Sequence, residues 1–135
     1  MKHTLTLFLT AVFVLAFALP SCKKEVPPTL IITVKNKDGK IRKGAWVHVY
    51  PNHATQGTLN PEMEKEGYTD SNGEVRFDFK YSAVLDVDVI DTTRYFNDST
   101  FTYVVDSVYG HKIVKIETRR QGSKENIFRE EVVVK

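Results

Sequence analysis

The chain has 135 residues, with 19 lysines and arginines against 17 aspartates and glutamates, a net charge of +2. That balance, with no run of like charge longer than two residues, lacks the basic footprint of a nucleic-acid binder. The single cysteine, Cys22, excludes an intrachain disulfide framework and a thiolate metal site. The length suits one domain plus appendages, large enough for a self-sufficient hydrophobic core.

Met1-Lys2-His3 is a short basic start to an apolar run, Leu5 to Leu19, interrupted only by Thr6 and Thr10. This is the pattern of an export signal, too short for a comfortable membrane span. It ends Leu19-Pro20-Ser21-Cys22, which resembles the lipobox of bacterial lipoproteins: leucine three before the cysteine and a small residue just before it. The resemblance implies cleavage after Ser21 and acylation of Cys22. Anchoring would then be effectively permanent, since each buried methylene is worth about 0.8 kcal/mol. Lys23 follows the cysteine where inner-membrane retention commonly uses aspartate, so the resemblance implies an outer-membrane lipoprotein of the cell envelope. The expected organisation is a signal peptide over 1–21, the lipidated Cys22 and a Pro27-Pro28 stalk over 22–29, and a β-sandwich domain over 30–135.

Leu30 to Lys35 reads as the first strand, closed by a turn at Asn36-Lys37-Asp38-Gly39. Gly44 to Tyr50 reads as the second. Ala45, Val47 and Val49 point one way, Trp46, His48 and Tyr50 the other, and Pro51 ends it. Residues 51–66 form the longest connection, with room for one helical turn in 61–66. Asp70 and Asn72-Gly73 then build a tight reversal. It feeds a strand with Val75, Phe77, Phe79 and Tyr81 inward and Glu74, Arg76, Asp78 and Lys80 outward. Val84 to Ile90 reads as another strand, with Asp86 and Asp88 toward solvent. Residues 91–100 are polar without an apolar period and read as a loop. Strands at 101–109, 111–118 and 127–134 complete the set, the last two joined by a hairpin over 121–126. Seven to eight short strands and no long helix predict an all-β antiparallel sandwich.

Three pieces stand in order along this chain. They are Val34-Lys-Asn-Lys-Asp-Gly-Lys40, then Gly44-Ala45-x-Val47-x-Val49, then Thr69-Asp70-x-Asn72-Gly73 before an alternating strand. Together they resemble the carboxypeptidase-regulatory-like and Cna-B-like group over about residues 30–90. The resemblance implies a transthyretin-like, Ig-like sandwich and little about activity, because the fold is a generic extracellular module. Hydroxyisourate hydrolases share that architecture, but their C-terminal Tyr-Arg-Gly-Ser signature is absent. Cna-B relatives can form a Lys–Asn isopeptide bond between first and last strands. Lys35 and Asn126 stand nearest to suitable places, although Lys35 falls on the outward parity of its strand.

The stripe of Trp46, His48 and Tyr50 suits sugar rings or an apolar partner surface. The alternative is that the 51–66 connection packs over it. His48, His53 and His111 have no zinc-ligand spacing, and Asp86, Asp88 and Asp91 read as a solvated face rather than a calcium site. No metal or other cofactor is expected. No Gly-x-Ser-x-Gly elbow occurs, and no catalytic residue is assigned. Asp91-Thr92-Thr93, Asp98-Ser99-Thr100 and Asp106-Ser107-Val108 resemble the acceptor of envelope O-glycosylation in some Gram-negative bacteria. Thr92 and Ser99 rank first as acceptors and Ser107 after them. The function expected is a non-catalytic, membrane-anchored envelope lipoprotein acting as a binding or accessory module. Its partner would be another envelope protein or a glycan. The alternative is a small envelope hydrolase or carbohydrate-binding protein using the 51–66 and 91–100 loops.

Overall fold

Period-two apolar alternation becomes two facing sheets. The computed structural model describes residues 25–55, 60–120 and 125–135, so the signal segment and Cys22 lie outside the described residues. Its strands are β1 (Glu25–Val26), β2 (Thr29–Asn36), β3 (Trp46–Pro51), β4 (Lys65–Tyr68), β5 (Glu74–Asp78), β6 (Ala83–Asn97), β7 (Thr102–Ile116), β8 (Arg119–Arg120) and β9 (Ile127–Val134). One sheet has the order β5-β2-β9, the other β4-β3-β6-β7, and β1 pairs with β8 as a short clasp. The chain is an all-β sandwich. Leu30, Ile32 and Val34 from one sheet meet Val47, Val49, Leu85, Val87 and Val89 from the other, all at most 1% exposed. Burying one such side chain stabilises by roughly 1.5–3 kcal/mol, so this layer dominates folding.

The turn before β5 forms as its residues dictate. Asp70 Oδ1 accepts from the backbone N–H of Asn72 at 2.8 Å and of Glu74 at 3.0 Å, and Gly73 sits at φ +70°. A Cβ on Gly73 would lie 2.3 Å from Ile41 Cγ2, so glycine is required by both backbone and space.

Several expectations are corrected. The sandwich is not wholly antiparallel: β9 runs parallel to β2, from Thr29 opposite Ile127 to Asn36 opposite Val134. The expected terminal hairpin therefore does not exist, and β9 crosses to the other sheet. Residues 91–100 are not a loop. β6 continues to Asn97 and pairs with a single uninterrupted β7, from Ala83 opposite Ile116 to Asn97 opposite Thr102. Tyr81 is 53% exposed rather than inward, because β5 ends at Asp78 and its parity lapses after Phe79. Residues 25–29 are not a free stalk either. Glu25 and Val26 pair with Arg120 and Arg119, and Asn126, buried at 3% exposure, donates from Nδ2 to Val26 O at 3.1 Å and Glu117 O at 2.7 Å. Asn126 is thus a clasp and not an isopeptide partner: the Asn126 backbone meets Thr29, while Lys35 lies opposite Val133 and bonds Glu131.

Beyond Asp91 the β6–β7 pair leaves the sandwich. β3 ends against β6 at Trp46 opposite Ile90, and Thr92 to Phe96 are all exposed. The resulting two-stranded ribbon is about 20 Å long. It leaves from the end of the sandwich where Asn36, Arg42, Asp91, Asp106 and Val134 line one cavity, the pole opposite the β1–β8 clasp. Arg42 bonds the buried Asp91 carboxylate and donates to Thr93 Oγ1 at 3.1 Å, bracing the ribbon's base.

Candidate functional site

The outer face of the four-stranded sheet collects aromatic and ionisable side chains. Alternation along β3 puts Val47 and Val49 into the core and leaves Trp46, His48 and Tyr50 half-buried outside. Their rings form a row: Trp46 to His48 at 5.4 Å between centroids, His48 to Tyr50 at 4.9 Å, and Tyr50 to His53 at 6.4 Å. The same parity on β6 brings Asp88 opposite His48, and on β7 it brings His111 opposite Asp88 and Tyr109 opposite Ile90.

A polar cluster locks the middle of this face. His111 donates from Nδ1 to Asp88 Oδ1 at 2.7 Å, and its Nε2 faces Asp86 Oδ1 at 3.4 Å. Tyr50 donates to the other Asp88 oxygen at 2.8 Å, and Asn52 Nδ2 donates to Asp86 Oδ2 at 2.8 Å. Asp86 is therefore buried at 7% exposure rather than solvated. Burial alone would raise Asp88, but hydrogen bonds from His111 and Tyr50 and the nearby imidazole charges outweigh it, so its carboxyl is held below its ordinary value. The bond to that carboxylate, followed by burial and the Asp88 and Asp86 charges, pushes the Tyr50 phenol up to about 12.

Two depressions flank His48. The first, about 440 Å³, has Trp46 and His48 on one wall, Tyr109 and His111 on the other, and Asp88 and Ile90 beneath. This volume lies in the range of small-ligand sites. The second, about 350 Å³, is where the 51–66 connection approaches, with Pro61 and Glu64 against His48 and Tyr50. The connection makes one 3-10 turn, Pro61–Met63, drops Met63 into the core and lets Glu64 Oε1 meet His48 Nε2 at 2.9 Å. Its described residues meet the row at its His48 and Tyr50 end and not at Trp46.

The other expected residues are elsewhere. Thr92 and Ser107 are cross-strand partners on the ribbon, their hydroxyls 3.1 Å apart, whereas Ser99 lies in the exposed turn at its tip. Residues 51–55 follow the end of β3 opposite Leu85, and 91–100 lie past its other end opposite Ile90. Among the described residues, no group of three or more His, Cys, Asp or Glu is arranged to hold a metal ion. From the sequence, Asp88 and His111 are weighed only as metal ligands and Tyr109 is passed over; the available signal is their outward parity, but only the strand register brings them beside Trp46.

No protein-family model and no curated protein matches the chain. Among solved structures it is similar to a proposed carbohydrate-binding protein from Pseudomonas aeruginosa, at 12% identity over 84% of this chain and 92% of that one, with TM-score 0.49. It is also similar to a 9R-lipoxygenase from Cyanothece, at 16% identity over 80% of this chain and 16% of that one, TM-score 0.43. A chlorocatechol 1,2-dioxygenase from Pseudomonas putida gives 14% identity over 82% of this chain and 60% of that one, TM-score 0.42. The chain thus spans less than two thirds of either enzyme. Likenesses of this degree carry nothing about activity, and the sandwich stands on the chain's own strand pairing.

Proposed function

We propose that the chain is a non-catalytic binding module of the cell envelope, held at the outer membrane by lipid on Cys22, whose outer sheet face takes a glycan. The anchor is supported by residues 1–22 alone. The ligand class is supported by one arrangement: an open groove with aromatic and imidazole rings on both walls and a carboxylate beneath. Sugar rings present apolar C–H faces and a rim of hydroxyls. Trp46 and Tyr109 match the faces, and Asp88, His48 and His111 supply acceptors and donors for the rim. Asp88 still has lone pairs to offer after accepting from His111 and Tyr50.

Trp46 is the only tryptophan, so its emission reports on the groove directly. Titration with chito-oligosaccharides and with solubilised peptidoglycan fragments should give a saturable change, weakened about tenfold by Tyr109→Ala, equivalent to 1.4 kcal/mol. Lys37→Ala, remote from the groove, should bind as the unsubstituted chain does. Failure of every probe, or unchanged binding by Tyr109→Ala, removes the groove as a glycan site. The anchor is tested separately: Cys22→Ser should abolish labelling by a fatty-acid analogue, and continued labelling sinks it.

A further inference from the structure

The ribbon is anomalous in a way that the groove does not explain. Isolated two-stranded pairs are marginally stable in water, yet this one projects with both edges unpaired among the described residues. β7 is the outermost strand of its sheet. Tyr109 exchanges both backbone bonds with Lys135, at 3.1 and 2.9 Å, so odd-numbered β7 residues turn their N–H and C=O groups away from β6. Tyr103, Val105 and Ser107 therefore present an open ladder. The edge is also apolar: Phe101 is 81% exposed, Tyr103 62%, Val105 61% and Tyr109 61%. Phe101 holds φ 51°, the only non-glycine positive φ among the described residues.

We propose that two copies of the chain pair antiparallel through their β7 edges, with Val105 of one opposite Val105 of the other. Charge pattern selects both the edge and the register. Thr102 to Val108 carries no lysine, arginine or proline and a single charge, Asp106, so little blunts this edge. The opposite ribbon edge has Arg94 at its centre, and symmetric pairing there would oppose two guanidinium groups. On β7, centring on Asp106 would oppose two carboxylates. Centring on Val105 instead sets Tyr103 against Ser107 in both directions, uses every open edge residue and forms about six ladder hydrogen bonds. The ladder then stops where it must. The next pair would be Phe101 with Tyr109, where one chain turns and the other's edge groups already serve Lys135. This register also brings those two exposed rings together. Three aromatic side chains about two thirds exposed contribute roughly 400 Å² per copy, about half of what a stable specific interface buries per partner and in the range of weak, transient encounters. The pairing is therefore reversible.

The test is covalent trapping in the full chain, purified in detergent. A hydrogen-bonded antiparallel pair holds its Cα atoms about 5.5 Å apart, within disulfide reach. Val105→Cys should oxidise to a species of twice the monomer mass that reductant reverses. The unsubstituted chain, which contains Cys22, and Arg94→Cys should not form it. Val105→Lys should abolish the dimer seen by sedimentation at high concentration while leaving the far-ultraviolet circular dichroism unchanged. A monomeric Val105→Cys protein overturns the proposal, as does equal trapping by Arg94→Cys. So does an adduct of a different mass, which would mean that another protein supplies the strand.

Discussion

Replacing Tyr50 with phenylalanine removes one hydroxyl and keeps the ring in its row. In the intact chain the phenol donates to Asp88, and its value is pushed from 10.0 to about 12. A raised value means that the folded state favours the protonated phenol. The associated stability is fully present below pH 10 and is lost as pH rises from 10 toward 12. Two units correspond to about 2.7 kcal/mol at full weight. The Asp88 side chain is 40% exposed, and solvent screening reduces the expected cost of Tyr50→Phe to about 1 kcal/mol at pH 7. Urea unfolding reads that difference, which should close between pH 10 and 12. Absorbance titration at the phenolate band provides an independent reading: the component near pH 12 should vanish in the variant. If the variant keeps that component, or is equally destabilised at pH 7 and pH 12, the Tyr50–Asp88 bond does not act as described.

Three further outcomes follow from packing and exposure. Phe77→Ala should cost about 3–5 kcal/mol in chemical denaturation, whereas Arg76→Ala on the outward parity should stay within about 0.5 kcal/mol; similar losses would contradict the assigned face of β5. Gly73→Ala should cost about 2–3 kcal/mol, combining positive-φ strain with the encounter at Ile41, and a thermal midpoint equal to that of the unsubstituted chain would refute that account. Any hexose-sized increment in the intact mass of the native protein should map to Ser99, whose turn is exposed, rather than to the paired Thr92 or Ser107, and an unmodified mass removes O-glycosylation altogether.

Local chemistry carried the core of the sandwich into view. Val47 and Val49 opposite Trp46 and His48, and Phe77 and Phe79 opposite Arg76 and Asp78, alternate because one face of each strand is buried. The ribbon escaped for the converse reason: Thr92 to Phe96 have no buried face, so no period distinguishes them from a loop. The parallel partnership of β9 with β2 is equally silent, since Ile127 to Val134 alternate alike whichever strand they join. The groove lies between these cases. Trp46, His48 and Tyr50 share a face by counting alone, but Asp88 and His111 join them only through register across three strands.

The clasp of β1 on β8 sets a leash. Glu25 is already held, and only Lys23 and Lys24 separate it from Cys22, a reach of about 10 Å. With Cys22 acylated, the domain cannot sweep a large volume. It would then stand on the bilayer with the eight residues of β2 rising about 27 Å and the ribbon about 20 Å beyond, pointing away from the lipid. Antiparallel joining of two such ribbons then sets the two anchors at opposite ends of one rod, about 90–100 Å apart. Two neighbours standing in one leaflet cannot meet that way. Two molecules rooted in facing membranes can, and the length of the rod would fix the gap between them.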